Sequence, residues 1–272
     1  MNLTDLPIAI TGASSGIGRA TAIECAKAGM PVAVAARRED KLIEVVEQIK
    51  KSGGRAIAVR ADVSNPDDCT RLIDATVEAF GSIYSVFANA GYGLEKPIAA
   101  LSDRDMRDMF DTNFFGTMNT IRPALARMLP ARRGHILVCS SCLAKCGMPF
   151  NGCYSATKAA QEHITRALRI ELRGSGVTAS SVHPIGTATE FFDAKAAKLK
   201  GTTANATPPS WAMQPPEKVA RAVVACLRHP RPEVWTSLPA RLGFALANLS
   251  PRLTDAGLAK FASRHPRPSN PQ

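Results

Sequence analysis

The chain has 272 residues, of which 45% are hydrophobic and 21% charged, with a formal net charge of +11. That length buries the core of one α/β domain, and the apolar fraction excludes a disordered chain. No apolar run reaches the roughly 18–20 residues of a membrane span. The positive charge invites a nucleic-acid partner, but only 6% of residues are aromatic and no stacking platform or nucleic-acid motif is present. A phosphate-bearing ligand and a basic surface account for the charge better.

Met1 to Ile10 is too short and too weakly basic for a signal peptide, so a cytoplasmic location is expected. Ile8-Ala9-Ile10 reads as a buried strand. It runs into Thr11-Gly12-Ala13-Ser14-Ser15-Gly16-Ile17-Gly18, followed by a helical pattern through Ala28 that Gly29 closes. Strand, glycine loop and helix form the setting in which backbone N–H groups cradle a pyrophosphate at a helix N-terminus. Val32 to Ala36 reads as the next strand. NAD enzymes usually end this strand with an acid that holds the ribose hydroxyl. Here Ala36 takes that place and Arg37-Arg38 follow, which points to the phosphate of NADP(H).

Glu39 to Lys51 is an amphipathic helix, Ala56 to Arg60 a third strand, and Pro66 to Phe80 a helix capped by Asn65. Asp62-Val63 lies between them. Ser85 to Ala88 is a fourth strand ending at Asn89-Ala90-Gly91. The alternation predicts a parallel sheet covered on both faces. Asp103 to Leu129 reads as one long helix carrying Asn113, with a kink expected at Pro123. His135 to Cys139 is a fifth strand delivering Ser140-Ser141.

Tyr154-Ser155-Ala156-Thr157-Lys158 opens a helix that runs from Ser155 to Arg173. A Tyr and a Lys four apart share a helix face, and the ammonium is expected to lower the phenol pKa toward neutral pH. With the Ser141 hydroxyl alongside, these are parts for moving a proton on and off an alcohol oxygen. Four cysteines cluster at Cys139, Cys142, Cys146 and Cys153. Their spacing does not suit zinc, so they read as free thiols and no metal is expected. Cys142, Cys146 and Cys153 are candidate oxidation-sensitive thiols near the active site.

Val177 to Val182 is a sixth strand, followed by His183-Pro184-Ile185-Gly186-Thr187-Ala188-Thr189. From 190 to 216 the pattern loosens into Lys, Ala, Thr and Pro, as expected of a mobile substrate lid. Pro216 to Leu227 is helical and Glu233 to Thr236 a last strand. Residues 238–263 form an apolar extension with scattered arginines, and 265–272 is Pro-rich and expected to be disordered. The extension reads as a helix that closes the substrate pocket or packs on another subunit. A helix lying on an acidic lipid surface is the rival.

In the order Thr11-Gly12-x-x-x-Gly16-x-Gly18, Asp62-Val63, Asn89-Ala90-Gly91, Asn113, Ser141, Tyr154 and Lys158, the chain resembles the short-chain dehydrogenase/reductase family over about Pro7 to Thr189. The resemblance implies a single doubly wound Rossmann domain, with a seven-stranded parallel sheet and helices on both faces. It implies that Gly12, Ser14, Ser15, Gly16, Ile17 and Gly18 line the cofactor diphosphate, and that Arg37, with Arg38, holds the adenosine 2′-phosphate. Asp62 and Val63 would face the adenine, Asn89, Ala90 and Gly91 would pass behind the cofactor, and Thr189 would stand near the nicotinamide amide. Asn113, Ser141, Tyr154 and Lys158 match a catalytic tetrad. In it Tyr154 is the acid, Ser141 holds the carbonyl oxygen, Lys158 also bonds the nicotinamide ribose, and Asn113 holds a water that reloads the proton through Lys158. Family members commonly form homodimers or homotetramers through the helices holding Asn113 and Tyr154.

One departure is Pro184-Ile185-Gly186 where the family usually has Pro-Gly, since Ile185 cannot easily adopt a positive φ. The expected function is NADP(H)-dependent interconversion of a carbonyl and a secondary alcohol on a small molecule. The alternatives are a nucleotide-sensing NADP-binding protein without turnover, a reductase of carrier-linked 3-oxoacyl groups, and, more distantly, an epimerase or dehydratase.

Overall fold

The structure, a computed structural model, describes residues 1–191 and 213–263. Seven strands, β1 (Ile8–Thr11), β2 (Val32–Ala36), β3 (Ala56–Arg60), β4 (Ser85–Ala88), β5 (Gly134–Cys139), β6 (Val177–His183) and β7 (Glu233–Trp235), form one sheet in the order β3-β2-β1-β4-β5-β6-β7. Every neighbouring pair is parallel. The chain winds outward from β1 to β3, returns to set β4 against β1, and winds outward again to β7. The reversal between β1 and β4 opens a crevice beyond their C-terminal ends, where the glycine loop and Asn89–Gly91 emerge.

Strand periodicity explains the two covered faces. Ile8, Ile10, Val32, Val34, Leu137 and Cys139 point to one side, and Ala9, Ala33, Ala35, Ile136 and Val138 to the other. The first set meets α1 (Gly16–Lys27) and α2 (Glu39–Lys51) through Ala22, Cys25, Leu42, Val45 and Ile49. The second meets α3 (Pro66–Phe80) through Leu72 and Ile73. The expected Asn65 cap is present, its side chain accepting from the Asp67 N–H at 3.0 Å.

The long helix expected from Asp103 to Leu129 is interrupted, and at a different place from Pro123. α4 (Asp103–Phe110) passes through a π turn, Asp111–Phe115, into α5 (Gly116–Met128). Pro123 lies inside α5, and the irregularity sits where Gly116 N–H bonds Asp111 O, five residues back. α6 (Gly152–Glu171) starts three residues before the expected boundary, so Tyr154 stands in its first turn. α7 (Pro216–Arg228) seals the first face with Val219, Val223 and Leu227.

The extension is two helices, α8 (Leu238–Ala247) and α9 (Pro251–Ala262), with Ser237 accepting from Ala240 N–H as the cap of α8. Of the expected lid, 192–212 lies outside the described residues, as does the tail 265–272. No described helix is long and apolar enough to cross a membrane.

Candidate active site

The glycine loop forms a cradle that side chains would fill. Gly12 and Gly16 adopt φ of +64° and +55°, which L side chains rarely tolerate. A Cβ on Gly18 would stand 2.3 Å from Gly12 O and 2.7 Å from Asn89 Nδ2. The loop is fixed from beneath: Asn89 Nδ2 donates to Thr11 O at 2.9 Å, and the Asn89 and Ala90 N–H groups bond Thr11 Oγ1. Backbone N–H groups at the α1 N-terminus therefore face open space, which suits an anion.

Arg37 and Arg38 stand beside this cradle in different ways. Arg38 Nη2 donates to the Ser14 and Ser15 hydroxyls at 3.0 Å each, and Nη1 lies 2.9 Å from Glu190. The Arg37 side chain is 77% exposed and stands 3.9 Å from Asp62. Asp62 Oδ1 accepts from Ser64 N–H and hydroxyl, which shapes the turn after β3. Residues expected at a cofactor thus gather on one cleft of about 960 Å³, lined by Gly12, Ser14–Ile17, Arg37, Arg38, Asp62, Val63, Asn89–Gly91, Ser141, Tyr154, Lys158 and Thr189. Gly18 and Asn113 stand behind that lining and shape it from within.

The catalytic candidates come from three elements. β5 and the short 3₁₀ turn after it (Cys142–Lys145) place Ser141, whose hydroxyl accepts from Leu143 N–H at 3.1 Å, on the same cleft as the Tyr154 phenol. α6 brings Tyr154 and, one turn on, buried Lys158, whose Nζ lies 5.6 Å from the Tyr154 ring centroid. The π turn points Asn113 inward, fully buried. Its Oδ1 accepts from Tyr92 N–H at 2.9 Å, and its Nδ2 donates to Tyr92 O at 2.9 Å and Thr157 Oγ1 at 3.0 Å. Its carbonyl accepts from Thr117 and Gln161. Asn113 therefore braces the Tyr92 loop against α6. Gly91 lets the backbone pack close against it, since a Cβ there would lie 2.9 Å from Asn113 Oδ1 and 3.4 Å from Lys158 Nζ.

The electrostatics differ from the sequence expectation. Burial pushes the Tyr154 phenol above its ordinary pKa, and the Ser141 hydroxyl pulls only partly the other way. Lys158 does not lower it here, for two reasons. Burial pushes the Lys158 ammonium below its own usual range, and its Nζ donates to Cys139 O at 2.8 Å instead of facing the phenol oxygen. Burial also pushes the thiols of Cys142, Cys146 and Cys153 up, Cys142 to about 11, which disfavours the reactive thiolate.

Ile185 solves its problem without a positive φ. Its carbonyl accepts from Thr187 Oγ1 at 2.7 Å, and the loop is pinned by Gln214, which bonds Gly186 O and Ala188 N–H. This brings Thr189 across the cleft to Gly16, where an added Cβ would stand 3.0 Å from the Thr189 side chain. Phe191, not anticipated from the sequence, lines the same cleft and puts its ring 5.6 Å from that of Tyr154. Its only signal was the aromatic pair after Thr189-Glu190.

Behind Ser141 lies a second polar cluster. Lys145 Nζ donates to Glu162 on α6 and to Glu233 on β7, the latter at 3.0 Å. His183 gathers with the two carboxylates, stacks on Trp235 at 4.8 Å, and its Nδ1 lies 3.1 Å from Ser141 O. The carboxylates could in principle ligate a cation, but the ammonium already sits on both.

A model of the short chain dehydrogenase family matches residues 7–200. An uncharacterised oxidoreductase of Listeria innocua is 35% identical over 71% of this chain and 79% of its own length. A 3-oxoacyl-[acyl-carrier-protein] reductase of Staphylococcus aureus is 35% identical over 70% of this chain and 78% of its own. The crystal structure of a short chain dehydrogenase/reductase from Burkholderia phymatum in complex with NAD superposes with a TM-score of 0.83 at 26% identity, covering 100% of this chain and 99% of the other.

Proposed function

The chain belongs to the short-chain dehydrogenase/reductase family, and from that premise we propose that it is an NADP(H)-dependent oxidoreductase that interconverts a carbonyl and a secondary alcohol. The observation that carries this reading is the gathering of Ser141, Tyr154 and, one turn on, Lys158 in one cleft with the glycine cradle. The cradle fits a dinucleotide because its glycines leave no side chain in the way. The paired arginines beside it fit a 2′-phosphate, and no carboxylate ends β2. NADP(H), when bound, supplies or accepts the hydride.

The remaining work falls to the side chains. Tyr154 gives its proton to the carbonyl oxygen, and its raised pKa keeps that proton in place at neutral pH until charge develops. Ser141 offers its hydroxyl to the same oxygen. Lys158, one turn from Tyr154, is the group that returns the proton to the phenol. Phe191 covers the Tyr154 ring and limits access of bulk water. The seven free thiols suit a reducing cytoplasm.

Oxidation of NADPH against NADH with a panel of ketones, aldehydes and quinones tests the reading. Tyr154→Phe should lower turnover by about 10²–10⁴ while leaving cofactor affinity nearly unchanged. Retained turnover in that variant would remove the proposed acid. The Staphylococcus aureus relative and the basic surface favour a second reading, a reductase of carrier-linked 3-oxoacyl groups. Turnover confined to carrier-linked substrates selects it. Tight cofactor binding with no turnover on any carbonyl selects a nucleotide sensor.

A further inference from the structure

Helices α8 and α9 take no part in the chemistry above. None of residues 238–263 lines the cleft, so the expectation that this stretch closes the substrate pocket is not met among the described residues. Its leucines face outward: Leu238, Leu242, Leu246, Leu249 and Leu253 are 64, 55, 65, 79 and 77% exposed. The first three lie four apart and form one stripe along α8, and Leu249 in the turn and Leu253 in α9 add two more exposed leucines. The opposite side of α8 is occupied. Phe244 stands 6.3 Å from the Trp235 ring, and the helix packs on the turn 142–145. Other exposed large apolar side chains, such as Ile43 and Ile170, are scattered singly. Exposed leucines concentrated in this way mark a surface that something covers.

Charge selects the occupant. Arg241, Arg252 and Lys260 are exposed among the leucines, and Asp255 is the single acidic residue between 238 and 263. A second copy docked face to face would set like charges against each other with little to neutralise them. The segment 192–212 is itself basic in sequence, with Lys195, Lys198 and Lys200 against Asp193. An anionic bilayer supplies both complements: an acyl layer for the leucines, and phosphates for the exposed Arg241, Arg252 and Lys260. We propose that α8 and α9 form a docking surface for anionic lipid bilayers, lying in the plane of the interface. Both helices are too short to cross.

The test is flotation of the full-length protein with vesicles of phosphatidylcholine alone or mixed with phosphatidylglycerol. The wild type should float with the mixed vesicles, and added salt should release it. Leu246→Glu combined with Leu253→Glu should cut the bound fraction by roughly tenfold or more, because two anchors become repelling charges. Both side chains are exposed, so the variant should keep its unfolding midpoint and its cofactor affinity, which confirms that the fold survives. Arg241→Gln combined with Arg252→Gln should weaken binding only to the anionic vesicles. Failure of the wild type to float with anionic vesicles overturns the proposal. So does equal flotation of the leucine variant, which would place the contact elsewhere on the basic surface. A wild-type dimer that the leucine variant splits, without flotation, identifies a second copy as the occupant instead.

Discussion

Replacing Arg38 with alanine separates a phosphate-reading arginine from one that merely shapes the glycine loop. In the structure its guanidinium is already committed, to the Ser14 and Ser15 hydroxyls and to Glu190. A hydrogen bond from this group to a phosphate contributes about 1.5–3 kcal/mol. The half-exposed pair with Glu190 must be surrendered first, at a cost of about 0.2–1 kcal/mol. The net is about 0.5–2.8 kcal/mol, so Arg38→Ala should weaken NADPH binding by roughly 2- to 110-fold. NADH lacks the phosphate, and its affinity should change by less than about twofold. The converse variant, Glu190→Gln, frees the guanidinium and should tighten NADPH by roughly 1.4- to 5-fold with no effect on NADH. Titration of cofactor fluorescence on purified protein reads all four numbers. Equal losses for the two cofactors in Arg38→Ala would refute the reasoning, because the arginine would then act on loop shape alone.

Gly18→Ala should keep the fold but lower cofactor affinity by roughly tenfold or more, since its Cβ would strike Gly12 O, and overpacking of this kind costs about 1–3 kcal/mol. Calorimetry on the free and cofactor-saturated protein measures it. Burial lowers His135 from 6.5 to about 4, so the folded state refuses a proton that the unfolded chain accepts. Its contribution is complete above pH 6.5 and lost as pH falls toward about 4, on the order of 3 kcal/mol in all. Urea unfolding at neutral and acid pH should show that loss, and His135→Gln should show less of it. Lys145→Met strands Glu162 and Glu233 beside each other behind Ser141, all three side chains being 12–28% exposed. Allowing for that exposure, it should cost about 1–3 kcal/mol of stability. It should lower kcat while cofactor KM stays constant, which steady-state kinetics can check.

Most of the sheet was legible because each strand is a short apolar run whose alternate residues feed two cores, and each glycine loop or cap sits at a fixed offset from it. The cradle and the Ser141–Tyr154–Lys158 constellation were legible for the same reason, being local motifs on those elements. Three features were not. A π turn leaves the hydrophobic period almost unchanged, so the break at Asp111–Phe115 was assigned to Pro123, the visible helix breaker. The direction of the Tyr154 shift depends on how deeply the helix is buried and on where Lys158 points, and neither follows from their spacing. The ties of Lys145 join residues 17 and 88 positions away, beyond any local signal. The exposed leucine stripe was visible as composition, yet only its packing shows which side of the helix is left bare.

The wide turn between α4 and α5 also bears on how this segment could tolerate change in length. Its backbone ring closes over five residues where an ordinary helical ring closes over four. The segment therefore holds one surplus amino acid, housed without a loop. Excising one position there would restore an unbroken helical rod and swing Asn113 away from Tyr92 and Thr157. Shortening by a single codon would thus be mild for the scaffold and severe for the brace behind the cleft.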